Sequence, residues 1–257
     1  MLSAERSVKR GLYLAPFDEL ADPTVLIELA VRAEERGWDG VFLWDHILWR
    51  PPVRAVADAW VALSAIAART KRIRLGPMVT PLSRRRVQKV ARETATLDHL
   101  SRGRLTLGVG IGSSTHGELE QFGEVVDPRE RARMLDDGLV QLSEFWAGEF
   151  EPRPVQAPRI PVWVAASWPH RRPLERAVRW DGVFAIELPG PDALAEIATV
   201  IARQRNDDGR PFDLVVDQEP GADPVPWQQA GATWLLTDFG PQPRAAHVRE
   251  VIEESPR

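Results

Sequence analysis

Eight apolar runs of four to eight residues alternate with helical stretches along the 257-residue chain, and no other feature narrows the fold as far. Parallel strands need crossover connections, usually helices, and eight such units in roughly 250 residues is the count and length of a closed (β/α)8 barrel. The runs fall at residues 11–17, 40–43, 73–80, 105–110, 160–165, 182–186, 212–216 and 232–237. Helical stretches are expected at about 23–36, 56–69, 87–100, 128–146, 173–180, 191–205 and 245–254. Asp22-Pro23 and Asp127-Pro128 supply a capping oxygen and a first-turn proline, and Gly37 and Gly103 stop helices. The expected architecture is an α/β chain with residues 1–257 as one TIM-barrel domain. Apolar Leu135, Leu139, Leu142 and Phe145 are assigned to its core rather than to an interface.

An internal repeat supports repeated βα units. Trp38-Asp39-Gly40-Val41-Phe42 recurs as Trp180-Asp181-Gly182-Val183-Phe184, each time opening an apolar run, four units apart. Two readings stand: half-barrels facing each other, or one shared solution to a helix-to-strand turn.

Composition removes several function classes. The 33 basic and 37 acidic residues leave a net charge of −4, which gathers neither nucleic acid nor anionic lipid. With no cysteine there is no thiolate chemistry, which suits a reducing cytoplasm, and no run approaches the roughly 20 apolar residues of a membrane span. No metal-ligand spacing and no Gly-x-Ser-x-Gly elbow occurs, so no metal and no serine hydrolase is expected.

In such a barrel, chemistry sits where the strands end. That filter selects Asp45 and His46, Thr80, the stretch Gly110 to Ser114, Ser167, Glu187, Asp217 and Asp238. His46 is the candidate acid or base because imidazole titrates near neutrality, with Asp45 beside it to fix a tautomer or serve another strand. His99, His116, His170 and His247 are taken as structural or solvated. Gly108-Val109-Gly110-Ile111-Gly112 lets a flat ring or a phosphate approach the backbone, or simply makes a tight turn. Ser167 with Arg171 and Arg172 before a helix suits an anion, while Arg84-Arg85-Arg86 reads as a solvated or phosphate-facing loop.

Four ordered blocks between residues 11 and 186 resemble a known family: Gly37-Trp38-Asp39-Gly40-Val41-Phe42-Leu43-Trp44-Asp45-His46, Leu75 through Pro81, Glu93 through Arg104, and Leu107-Gly108-Val109-Gly110. Together they are similar to the luciferase-like flavin-dependent oxidoreductases, which use FMN or the 8-hydroxy-5-deazaflavin coenzyme. The resemblance implies a barrel with the cofactor ring across the strand tops, His46 beside ring and substrate with Asp45 in support, and a non-proline cis peptide around Met78-Val79. It places the cofactor against Trp44, Pro77, Met78, Val79, Thr80, Gly110 and Gly112. The phosphate falls at Ala166, Ser167 and Trp168 near Arg171 and Arg172, and Glu187 and Trp49 lie on the substrate side.

The sequence also departs from the family. Residues 150–161 lack much of the insertion that usually covers the pocket. Ala165-Ala166 stand where glycines are common, and Ser113 and Ser114 stand where the deazaflavin sugar-phosphate dehydrogenases place an acid. Asp45-His46 is closer to the deazaflavin members than to the light-emitting enzymes. The implied activity is hydride transfer or oxygen insertion on a small organic substrate, served by a flavin or deazaflavin reductase in a homodimeric protein. A catalytically reduced flavin-binding barrel is one alternative, and a hydrolase pairing Glu187 with Asp217 or Asp238 is another.

Overall fold

A computed structural model describes residues 8–254 apart from 114, 116, 149 and 206–208, so Ser114 and His116 lie outside the described residues. The strands are β1 (Lys9–Leu14), β2 (Gly40–Leu43), β3 (Arg74–Pro77), β4 (Thr80–Pro81), β5 (Leu107–Gly110), β6 (Val162–Ser167), β7 (Gly182–Ile186), β8 (Asp213–Gln218) and β9 (Trp234–Asp238). Between and after them run α1 (Pro23–Glu35), α2 (Ala59–Arg69), α3 (Val87–Ser101), α4 (Glu118–Gln121), α5 (Pro128–Ala147), α6 (Arg171–Ala177), α7 (Pro191–Gln204), α8 (Val225–Gln229) and α9 (Ala245–Glu254).

All pairings are parallel, in the order β3-β2-β1-β9-β8-β7-β6-β5-β4. The expected third strand is two pieces, β3 and β4, separated by a cis peptide at Met78–Val79. Both pieces face β5: Thr106 N–H donates to Leu75 O at 2.9 Å, and Thr80 pairs with Val109. The ends of the sheet therefore meet, and nine strands fill eight barrel positions. Closure depends on Gly76, where a Cβ would lie 1.8 Å from the Thr106 carbonyl oxygen.

Strand alternation divides the core in two. Inward-facing Phe42, Met78, Trp163, Phe184, Val215, Trp234 and Leu236 fill the barrel, with Phe42 and Trp163 ring centres 5.1 Å apart. Outward-facing Leu12, Leu14, Val41, Leu43, Val162, Val164 and Leu235 pack under the helices. Against them α1 buries Leu26, Leu29, Ala30 and Ala33, and α5 buries Leu135, Leu139 and Leu142, with Phe145 half-buried beside them.

Local chemistry sets the boundaries. Asp22 accepts from Thr24 N–H, and Asp127 accepts from Arg129 N–H, each with a proline at the first helical position. The second helix starts at Ala59 rather than near residue 56, because Val56 is held in a bridge to Phe17 and Asp58 caps on Val61 N–H. The sixth starts at Arg171 and ends at Ala177, earlier than the 173–180 expected, since a first turn accommodates Pro173.

Candidate active site at the barrel mouth

The C-terminal strand ends surround a cavity of about 770 Å³. Its floor is apolar and built from small or inward-pointing groups: Met78 and Val79, Gly110, Ala165, Phe184 and Ile186. Tyr13 closes the centre, its hydroxyl donating to Met78 O at 3.0 Å.

One wall carries His46. The imidazole packs against Trp49, Trp44 and Phe17 with ring centres 4.6, 6.0 and 6.2 Å away. Its Nδ1 lies 3.0 Å from Glu118 Oε1, and Glu118 Oε2 accepts from Ile47 N–H at 3.1 Å. Arg84 Nη1 stands 2.8 Å from the same Glu118 Oε1, an ion contact without hydrogen-bond alignment, and Arg84 Nη2 donates to Asp45 O at 2.9 Å. Burial pushes the Glu118 carboxyl up, but the His46 bond, the nearby Arg84 charge and the Ile47 N–H together hold it below the usual glutamate range.

Asp45 is a hub of this wall. Its carboxylate accepts from Thr80 Oγ1 at 2.6 Å, Trp60 Nε1 at 3.0 Å and Arg85 Nη2 at 2.9 Å. It is buried, these bonds tie β2, β4 and α2 together, and none of them goes to the His46 ring. Arg84 and Arg85, expected as a solvated or phosphate-facing loop, turn inward with 4% and 19% of their side chains exposed. Asp45, Glu118 and Glu93 draw them in, because a guanidinium leaves water only for paired carboxylates.

The facing wall is cationic. Arg176 is neutralised by Asp136 through two bonds of 2.8 and 2.9 Å. Arg129 at the start of α5, with Arg171 and Arg172 at the start of α6, lines the cavity exposed, and no carboxylate among the described residues pairs with them. Ser167 and His170 stand on the same side, with Glu187 at the end of β7.

The profile of the luciferase-like monooxygenase family matches residues 7–220. The chain belongs to that family. An F420-dependent glucose-6-phosphate dehydrogenase from Amycolatopsis mediterranei is 34% identical over 164 residues, 57% of this chain and 49% of that relative. The chain thus spans about half the length of the curated relatives it first matches. Among solved structures, the coenzyme F420 dependent tetrahydromethanopterin reductase from Methanopyrus kandleri superposes with a TM-score of 0.76 at 17% identity, covering 96% of this chain and 97% of that one. The oxygenating constituent of 3,6-diketocamphane monooxygenase from Pseudomonas putida, in complex with FMN, gives a TM-score of 0.68 at 19% identity, covering 84% and 68%. Both show the luciferase-like barrel.

Within this luciferase-like barrel, Asp45, His46, Met78, Val79, Gly110, Gly112, Ser167, Arg171, Arg172 and Glu187 line the cavity together. Six other residues expected at the site do not. Ala166 points outward into the helix layer, one step out of phase with Ala165 and Ser167. Thr80 is fully buried on Asp45, and Pro77 is buried in β3. Trp168 packs on the outer core. Trp44 and Trp49 form the layer behind His46.

The glycines answer the open choice between close approach and tight turn. At Gly110 a Cβ would meet Val79 at 2.8 Å. At Gly112, with φ of +77°, it would meet Pro81 at 2.9 Å. The barrel's own packing therefore accounts for both. His170 borders the cavity with its side chain exposed, His99 bonds Arg153 O, and His247 lies exposed beside Glu250, as solvated or structural assignments allow.

Sequence reading missed Glu118, Arg129 and Tyr13. Glu118 and Arg129 lie in the long link after β5, away from any strand end, and Tyr13 sits inside an apolar run. Inward parity was the available signal for Tyr13, and none existed for Glu118.

Proposed function

We propose that the protein is an oxidoreductase that binds the 8-hydroxy-5-deazaflavin coenzyme, with FMN as the second reading, and acts on a small organic substrate. The observation that carries this is the pairing of an apolar floor with three unneutralised arginines at one rim of the same cavity. A flat ring bearing an anionic tail matches that donor set: Met78, Val79, Gly110 and Ala165 offer surface without charge, and Arg129, Arg171, Arg172 and Ser167 offer donors to phosphate oxygens. The residues present therefore fit the cofactor. The deazaflavin reading comes first because several relatives about a third identical carry that coenzyme in their names; the FMN-bound structural neighbour supports the second.

When bound, the cofactor supplies the hydride, or for FMN the activation of oxygen. The chain's share is orientation and proton handling. The cationic rim holds the tail, the Met78–Val79 floor supports the ring face, and Phe17, Trp44 and Trp49 keep water from the His46 wall. His46 gives or takes the proton that accompanies reduction or oxidation of the substrate.

A sugar phosphate is a poor match as substrate. Ser113 stands just after β5, and the unpaired arginines lie on the side assigned to the cofactor tail. A neutral substrate is expected, with Glu187 at its edge. Homodimerisation, a reductase partner, a cytoplasmic location and a single domain over residues 1–257 belong to the same proposal. Among the described residues no helix is long and apolar enough to cross a membrane.

The test is anaerobic incubation of each reduced cofactor with carbonyl substrates and of each oxidised cofactor with alcohols, beside reduced FMN with the same panel under oxygen, following cofactor absorbance and product. Substrate-dependent change with the deazaflavin supports hydride transfer. Turnover only with FMN and oxygen moves the protein to the second reading. Binding of cofactor without any substrate-dependent change favours the catalytically reduced barrel.

A further inference from the structure

We propose that Glu118 is the positioning residue of this site, holding the His46 proton on Nδ1 so that Nε2 is the nitrogen that exchanges protons with a molecule in the cavity. The role in turnover rests on the oxidoreductase reading above; the tautomer does not.

A carboxylate oxygen only accepts hydrogen bonds, so the 3.0 Å contact between Glu118 Oε1 and His46 Nδ1 requires the proton on Nδ1. The other oxygen is engaged at the same place in the chain, accepting from the N–H of Ile47, the residue after His46, at 3.1 Å. One carboxylate thus grips the ring and the backbone of a single dipeptide and cannot turn without releasing one of them. With a side-chain exposure of 1%, Glu118 has little competing water.

Arg84 completes the arrangement. It stands between Glu118 Oε1 and Asp45, so the imidazole is tied through one guanidinium to the buried hub that joins β2, β4 and α2. That tie gives the ring an orientation set by the barrel itself. Glu118 is not the proton donor, although it borders the cavity: both oxygens are engaged and the surroundings favour its ionised form.

The test is a long-range ¹H–¹⁵N correlation spectrum of uniformly ¹⁵N-labelled protein without cofactor, recorded above the titration range of its histidines. His46 is assigned by the signal lost in His46→Gln. The expected result is a protonated Nδ1 and an unprotonated Nε2 on His46. In Glu118→Gln the side-chain amide either donates or accepts, so the Nε2–H form of His46 should rise several-fold while the remaining histidine signals and the far-ultraviolet circular dichroism stay unchanged.

A wild-type His46 carrying its proton on Nε2 overturns the proposal, and so does an unchanged tautomer in a folded Glu118→Gln. Should that variant not fold, the wild-type spectrum decides alone. Once a substrate is in hand, Glu118→Gln should lower kcat by about tenfold or more with cofactor Kd within about twofold. Failure of the oxidoreductase reading would appear as absent cofactor binding beside an intact Nδ1–H tautomer.

Discussion

Asp217 lies next to the last residue of β8 with its carboxyl pushed up to about 6, first by burial and then by the charge of Asp238. Asp238 is itself raised, by burial and Glu219, and Tyr13 is raised well above its usual value by burial and the two aspartates. Between about pH 4 and 6 the native protein keeps a proton that the unfolded chain has released. Stability from Asp217 therefore falls as pH rises through that window, by on the order of 2 to 3 kcal/mol. Asp217→Asn removes the charge with little change of shape. Urea unfolding should show it stabilised relative to wild type at pH 7.5 and near neutral in effect at pH 4; equal effects at both pH values would contradict the burial argument. At the wall that carries His46, His46→Ala should reduce turnover about 100-fold or more while cofactor affinity is largely kept, as judged by kcat beside a fluorescence-derived Kd. His46 was legible in the sequence because it directly follows an apolar run. Glu118 was not, because it lies 72 positions from His46 and only the folded chain brings them together. Ala166 could have been excluded from sequence, since alternation along β6 gives the inward positions to Trp163, Ala165 and Ser167.

The repeated pentapeptide acquires a physical reason at the level of elements. Asp39 accepts from Arg10 N–H on β1 at 2.8 Å, and Asp181 accepts from Val162 N–H on β6 at 2.8 Å. Each aspartate thus clamps the start of the preceding strand. Trp38 and Trp180 lie under the Arg10 and Arg159 guanidinium groups at 4.9 and 4.8 Å. Gly40 and Gly182 leave room for the inner tryptophans, since a Cβ would approach Trp234 at 2.8 Å and Trp163 at 2.6 Å. Both copies thus perform the same helix-to-strand task at two places in the barrel wall. Asp181→Ala also removes the Arg159 ion pair, so it should cost about 1.5 to 3 kcal/mol, against about 1 for the more exposed Asp39→Ala. The double variant should equal their sum within about 0.5 kcal/mol in denaturant unfolding, because the clamps share no partners. The sequence showed this repetition but not its cause, as the partners belong to other strands. Helices α4 and α8, of four and five residues, were illegible because neither completes enough turns to show a period.

Closure of the whole barrel depends on one narrow contact. The β3 to β5 seam admits no side chain at Gly76, and the obstructing atom is a main-chain oxygen that cannot rotate away. Gly76→Ala should therefore cost more than about 4 kcal/mol, read as loss of cooperative unfolding or of soluble expression. Barrel architecture was legible from eight alternations alone, since count and length leave few other ways to cover parallel strands. Which loops wall the mouth was not legible, because the links carry no periodicity and their residues meet only after closure. The mouth offers an apolar floor and a cationic rim to a flat ring with an anionic tail. The most direct test of that match is a tryptophan fluorescence titration of the purified protein with the deazaflavin coenzyme and with FMN, each oxidised and reduced, beside an Arg171→Ala/Arg172→Ala variant. Saturable binding of at least one of them, weakened about tenfold or more in the variant and eased by added salt, is the predicted result. No binding in any form, or binding indifferent to both arginines, would contradict it.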